Sequence, residues 1–467
     1  MIKLLHHLNF IAMTKMHLPR RDFLKKSIVA SAALYTGFHE RSYAFSPLPE
    51  VTVVNPLNRV PVSLIIDDST ALVYMAHFGI PQFHEVFPEN YPQDWRKLPC
   101  EIPDSFVREF GEWCLDHDVK GKYSMVPYPA CTGWLHRVIP GWTEKELKDS
   151  LKLVRDFMMP NWDIHPEMIS HTRVINIKTG LPYPDALPEY MENWEWSQNK
   201  SADELGSYMA YALNILKEAG LYCEGITTPG GFGSKNMDNL AQGTLDAVRD
   251  VFKAEIPHFF RDVITDPNES VEPRLFHVSG LDSNDPRCSV HIIGCTDDWF
   301  GGWDGMTPGS PDLHITEDLQ KGRLVEVIDK GEPAILVCHW PGVYFNGEKT
   351  GFNIFKQVVS RLNQKYKNLI WMKNSEIARY WVAKRLTDIT SHDDEIVFKA
   401  PFGTERFTVH INKKIRKMIL THDGKEYILE KTSDPLYLRP GIYCWDQTGT
   451  LVSFDLAKGI SGLKFSY

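Results

Sequence analysis

Apolar and polar positions follow two different rhythms along this chain. Short, largely apolar runs, the mark of strands buried on both faces, recur at 62–66, 122–126, 162–164, 223–228, 289–293, 334–338 and 369–372. Between them lie longer stretches with apolar residues three and four apart, as on one face of a helix: 103–116, 144–159, 202–219, 240–252, 317–330, 353–365 and 375–385. Phe106, Phe110 and Trp113 show that spacing within 103–116. Thr143 precedes 144–159 as an N-cap, Pro160 stops that helix, and Gly220 closes 202–219. Strand and helix alternate for about 320 residues, the signature of parallel βα units. The expected fold class is therefore α/β, with a (β/α) barrel over 61–387. After residue 388 the helical rhythm stops. Short strands at 396–398, 407–409, 418–420, 427–429 and 451–454 predict a small C-terminal all-β domain over 388–467, read as a sandwich.

The start of the chain follows neither rhythm. Arg20-Arg21-Asp22-Phe23-Leu24-Lys25 precedes an uncharged, mildly apolar run at 27–38 and a small-x-small triplet, Ser42-Tyr43-Ala44. That run is too short for a membrane anchor, which takes about 20 residues. The arrangement resembles a twin-arginine export signal, with Pro19 where such signals usually carry Ser or Thr. Residues 1–44 are expected to be that signal, and 45–60 a linker or first extended piece. The implied location is periplasmic or secreted, with the twin-arginine translocase as a partner during export and no membrane anchor. The competing reading is an amphipathic first helix of the folded protein, which would not need paired arginines before an apolar run.

Composition narrows the partners. A net charge of −9 argues against nucleic acid or anionic membranes as the main partner. Eight cysteines are scattered with no C-x-x-C pair, so a zinc ribbon is not expected. Aromatic residues make up 12% of the chain, with 13 Trp, and aromatic faces are platforms for sugar rings. Trp299, Trp303, Trp340 and Tyr128 are candidates for holding a carbohydrate. Core packing is the competing role for each.

Metal-ligating residue types stand at the ends of four apolar strands: Asp67 and Asp68; His165, Glu167 and His171; Asp297 and Asp298; and His339. In a βα barrel the C-terminal strand ends share one pocket, so residues about 270 positions apart are expected to meet.

This ordered set resembles the polysaccharide deacetylase (NodB-homology) family, carbohydrate esterase family 4. Leu64-Ile65-Ile66-Asp67-Asp68-Ser69 is similar to its T-F-D-D-G motif. Asp163-Ile164-His165-Pro166-Glu167-Met168-Ile169-Ser170-His171 aligns without gaps on its E-I-G-N-H-T-x-S-H motif. Asp298-Trp299 resembles a pocket-shaping D-W pair, and Ile335-Leu336-Val337-Cys338-His339 its closing L-x-H motif. The resemblance covers residues 60–385. It implies a NodB-like distorted TIM-type barrel, Asp67 as the base, Asp68 as a metal ligand, Asp298 and Trp299 at the substrate, and His339 as the general acid.

Two positions depart from the family pattern. Glu167 stands where the family has its first histidine ligand, and Thr228 where it has the arginine that orients the base. The expected ligands are Asp68 and His171, with the third place open between His165 and Glu167. Glu167 and His171 have the i, i+4 spacing of one helical face. His165 offers the imidazole that zinc prefers, but Pro166 keeps it out of a helix. Zinc is the expected ion, with manganese, cobalt or nickel as alternatives. The implied function is a metal-dependent hydrolase removing N- or O-acyl groups from a carbohydrate. The competing classes are a metal-free glycoside hydrolase or polysaccharide lyase using Asp67, Asp68, Glu167 and Asp298, and a non-catalytic carbohydrate-binding protein.

Overall fold

The computed structural model describes residues 48–466, so the signal expected at 1–44 lies outside the described residues. The chain enters through β1 (Val51–Val53), which pairs antiparallel with a late strand, Thr404–Ile411. Strand β2 (Val60–Asp67) is buried at every position, as its apolar run requires. Strands β3 (Gly121–Ser124) and β4 (Trp162–His165) extend the sheet in parallel on one side. A two-residue hairpin, β5 (Ile175–Asn176) and β6 (Leu181–Pro182), follows. Then come β7 (Gly225–Thr227), β8 (His258–Val263), β9 (Arg274–Ser279) and β10 (Arg287–Gly294). They form a second sheet in the order β7-β8-β10-β9, parallel except for β9. Finally β11 (Ala334–His339) and β12 (Leu369–Trp371) return to pair with β2 in parallel.

The sequence leads one to expect a distorted (β/α) barrel. Among the described residues the pairing of these strands falls into two sheets that meet at two seams. At one, the Thr227 amide donates to the Pro166 carbonyl at 3.0 Å; at the other, the Cys295 amide donates to the Ile335 carbonyl at 2.7 Å. Pro166, directly after β4, has no N–H to continue a ladder, and β7 is only three residues long. What is established is a mixed α/β architecture in which the parallel strands share one direction. Asp67, Ser124, His165, Thr227, Gly294 and His339 consequently end on one side.

Helices pack outside these strands. Two of them start with reciprocal capping boxes, Thr143 with Glu146 and Ser201 with Glu204. The helix expected over 144–159 is α-helical at Glu144–Leu153 and then widens into a π-turn, Val154–Met158. The helix expected over 317–330 is only Arg323–Asp329, because Leu319 and Gly322 adopt left-handed backbone angles (φ 63° and 112°). Strands β8 and β9, and the helix Met75–Val86 with Pro81 inside it, do not follow the apolar rhythms and went unread in the sequence.

The C-terminal region holds β13 (Asp388–Ser391), β14 (Glu395–Ala400), β15 (Thr404–Ile411), β16 (Lys417–His422), β17 (Lys425–Ile428), β18 (Glu430–Thr432), β19 (Ile442–Trp445), β20 (Thr450–Leu456) and β21 (Gly459–Ser466). With β1 they make two five-stranded sheets, β1-β15-β20-β19-β18 and β13-β14-β21-β16-β17. Ile396, Phe398, Phe407, Val409, Phe454 and Leu463 are buried in one apolar cluster shared by the two sheets. No helix of the described residues is long and apolar enough to cross a membrane.

Candidate functional site

Asp68 directly follows β2 in a left-handed conformation (φ 57°), which an aspartate tolerates and which turns the chain sharply. Glu167 and His171 lie in the loop after β4. Ligand atoms of Asp68, Glu167 and His171 all fall within 4.8 Å of one another, and all three residues are buried. His171 Nε2 is 2.7 Å from Asp68 Oδ1 and 3.2 Å from Glu167 Oε1. The Asp68 amide donates to Glu167 Oε2 at 2.8 Å. Burial disfavours charge on His171 and Glu167, but attraction within the trio overcomes it. His171 is raised well above the usual imidazole range by Asp68 and Glu167. Glu167, chiefly through His171, is held down at about 2.

The closeness of Glu167 and His171 does not come from a helical face, as their spacing suggested. Residues 166–171 form an irregular loop in which Met168 and His171 have φ of 53° and 63°. A residue the sequence did not single out, Glu192, holds that loop. Its carboxylate accepts the amides of Ile169 (3.1 Å), Ser170 (3.1 Å) and His171 (2.6 Å), and the Tyr208 hydroxyl. Burial nevertheless pushes the Glu192 carboxyl up to about 7. Glu192→Ala leaves these buried donors without their shared acceptor, at about 1–3 kcal/mol for each one stranded. The expected outcome is a fold weakened by about 3 kcal/mol or more, read as a lower midpoint in chemical denaturation.

Asp67 meets a second residue that pattern reading missed. Lys122 on β3 is completely buried, and its Nζ contacts Asp67 Oδ1 and reaches Ser124 Oγ at 2.8 Å and the Ile66 carbonyl at 3.2 Å. Burial pushes the Asp67 carboxyl up to about 6, with Lys122 opposing the rise. A lysine sharing a strand face with Ser124, two residues on, inside a buried strand is the signal the sequence offered. His339 ends β11 with Nδ1 3.2 Å from Asp298 Oδ1. Burial lowers the imidazole, but Asp298 and then Asp68 and Asp67 outweigh it and raise it to about 10.

These groups open on a cavity of about 270 Å³, lined also by Asn193, Thr228, Arg261 and Asp297. Its aromatic wall is Phe83, Tyr91 and Trp303, with ring centroids 6.0 Å (Phe83) and 5.8 Å (Tyr91) from Trp303. The other aromatic candidates lie elsewhere. Trp340 is a core residue, 1% exposed, packed on Phe106 and Phe110 at 4.9 and 5.1 Å. Trp299 packs edge-on against His314 at 5.4 Å, and Tyr128 stacks on Trp134 at 4.0 Å. Asp298 serves His339 and is not part of the cavity wall.

His165 is likewise apart from the Asp68 group. The pleat of β4 sends Asp163 and His165 to one face, where they join His258 of β8 in a second buried cluster within 4.8 Å. His165 Nε2 lies 2.9 Å from His258 Nε2, and burial lowers the pKa of both rings. Asp163 accepts from the Ser375 amide and hydroxyl at 2.6 and 2.7 Å. Of the two alternatives for a third partner of Asp68 and His171, the fold brings Glu167 and leaves His165 with His258.

No protein-family model matches this chain, and no curated protein matches it. Several solved structures are remotely similar. A probable polysaccharide deacetylase from Pseudomonas aeruginosa PAO1 is 10% identical over 69% of this chain and 91% of its own, with a TM-score of 0.33. A putative glycoside hydrolase/deacetylase from Parabacteroides distasonis is 12% identical over 81% and 85%, with a TM-score of 0.40. An allantoinase is 10% identical over 70% and 91%, with a TM-score of 0.35. Likenesses this remote carry no argument about activity.

Proposed function

We propose that this protein is a metal-dependent hydrolase that removes an N- or O-linked acyl group from a carbohydrate, on a NodB-like distorted (β/α) barrel. The observation that carries the proposal is the convergence of Asp68, Glu167 and His171 beside Asp67 and His339. The trio fits a divalent cation: two carboxylates and one imidazole face one another, and the 2.7 Å approach of His171 Nε2 to buried Asp68 Oδ1 lies outside hydrogen-bonding geometry. Asp68, Glu167 and His171 would hold the ion, and an oxygen-rich set of this kind favours manganese or cobalt beside zinc. When bound, the cation supplies a Lewis acid that polarises an acyl carbonyl and makes water more acidic.

The chain's own groups do the rest. Asp67 takes the proton from the attacking water, and Lys122 beneath it fixes its orientation and favours its charged form. His339, its Nδ1 turned to Asp298, offers Nε2 to protonate the leaving nitrogen or oxygen. Trp303, Phe83 and Tyr91 offer faces for a sugar ring. Release of acetate from acetylated oligosaccharides tests the proposal. Chelation is expected to abolish it and manganese, cobalt or zinc to restore it; release that survives complete chelation sinks the proposal.

The pH profile follows from the two proton carriers. Asp67 works ionised, so turnover rises as pH climbs through about 6. His339 works protonated, so turnover falls as pH climbs through about 10. His339→Asn is expected to lower kcat by about 10²–10⁴ and to remove the alkaline limb. A variant that keeps both rate and limb removes His339 from the mechanism.

A further inference from the structure

We infer that the substrate itself carries an anion, a carboxylate such as a uronic acid bears or a sulfate ester, and that Arg261 binds it. This rests on the carbohydrate reading of the pocket. In the parallel pairing of β8 with β10, Phe260 faces Ile292 and Asp262 faces Ile293, which leaves Arg261 as the extra residue of a β-bulge. Bulges re-aim a side chain at the end of a strand. Here the bulge sits near the C-terminal end of β8, and Arg261 lines the same cavity as Asp67, Asp68, His171 and His339.

The Arg261 side chain is only 13% exposed, and its Nε is buried without an acceptor. Among the described residues the carboxylate paired with it, Asp262, stands 3.6 Å from Nη1, too far for a hydrogen bond, and lies equally close to His291 Nε2 at 3.5 Å. Burial accordingly lowers the guanidinium pKa, with Asp262 offsetting it only in part. Each of the other basic groups at the site has a carboxylate oxygen within 3.2 Å: His171 has Asp68 and Glu167, His339 has Asp298, and Lys122 has Asp67. Among the described residues that line the cavity, Arg261 is the cation with no carboxylate in hydrogen-bond reach. A largely buried guanidinium whose Nε has no acceptor is satisfied by a two-oxygen anion in bidentate contact.

Binding tests this without turnover. The purified protein is titrated calorimetrically with trigalacturonate, an alginate trisaccharide and a sulfated galactotriose, and with carboxyl-reduced or unsulfated counterparts. At least one anionic trisaccharide is expected to bind 10-fold or more tightly than its neutral form, and the better of carboxylate and sulfate names the source of the anion. Arg261→Gln is expected to abolish that preference and Arg261→Lys to keep only part of it; if Arg261→Gln does not fold, the Lys variant makes the comparison. The inference is overturned by equal affinity for charged and neutral forms, by no saccharide binding, or by a preference that survives Arg261→Gln. It is also overturned if Arg261→Gln slows acetate release equally from neutral and anionic substrates, which would tie Arg261 to the reacting acyl group. Anion preference without acetate release from any acetylated saccharide removes the deacylase reading and leaves this one standing. Acetate release without anion preference does the reverse.

Discussion

Glu167→Ala is expected to abolish binding of the proposed divalent ion, whereas His165→Ala is expected to keep a full equivalent. Glu167 Oε1 is 3.2 Å from His171 Nε2, and its other oxygen accepts the Asp68 amide. Removing it deletes a ligand and also frees the turn that presents Asp68. Losing a group that merely orients a ligand costs about 10–100-fold in metal affinity, so losing a ligand costs on the order of 100-fold or more. His165 instead faces His258 at 2.9 Å, in the group with Asp163. Metal content of the two dialysed variants, measured by elemental analysis beside wild type, separates the cases. If both variants retain a full equivalent, the assignment to Asp68, Glu167 and His171 is wrong. If His165→Ala alone loses the ion, the Asp163–His165–His258 cluster is the metal site.

Lys122→Met is expected to weaken the fold by about 3–5 kcal/mol, because breaking a buried ion pair leaves the partner charge uncompensated. Both members are buried, with side-chain exposures of 0% for Lys122 and 6% for Asp67. Asp67→Asn added to Lys122→Met is expected to recover much of the loss, since no buried charge then remains. The deficit should also shrink in acid. Asp67 has its carboxyl raised from 3.8 to about 6, so between those values the folded state holds the proton more firmly than the unfolded state. Its contribution to stability is therefore greatest below about pH 4 and falls as pH rises through about 6. Without Lys122 the group is harder still to ionise, and the variant's penalty grows across the same window. Urea denaturation at several pH values measures this. A penalty under 1 kcal/mol that ignores pH would mean that Lys122 and Asp67 are not coupled.

The residues that went unread have a common property. Lys122, Glu192 and Arg261 are polar side chains that burial alone would exclude, and each has meaning only through a partner or a cavity. Glu192 meets the amides of residues 169–171 across more than twenty positions of chain with no helical or strand rhythm between them. Lys122 reaches Asp67 from a neighbouring strand, 55 residues away in sequence. Arg261 depends on a one-residue shift in pairing with β10, which leaves no trace in local composition. Trp340 teaches the converse. A Trp after a strand end looks like a sugar platform, but the short helix Trp340–Tyr344 turns its ring into the core.

The amino-acid sequence by itself determined most of the parallel strands and the helices between them, but not β8, β9 or the helix Met75–Val86. Apolar runs bury on both faces, amphipathic stretches bury on one, and several carboxylates and imidazoles stand at or just past the tips of the apolar runs. That reasoning needs only neighbours within a few residues, and it was enough to put Asp67, Asp68, Glu167, His171 and His339 at strand ends pointing one way. Which of them touch was decided by the tertiary structure alone. Side chains two apart on β4 share a face, so Asp163 and His165 go together toward His258. Past Pro166 the chain leaves the pleat, and left-handed turns at Met168 and His171, tied down by Glu192, carry Glu167 and His171 to Asp68. The physical reason is that contact between strands depends on register and pairing, which are settled by burial summed over the whole core and not by any one segment.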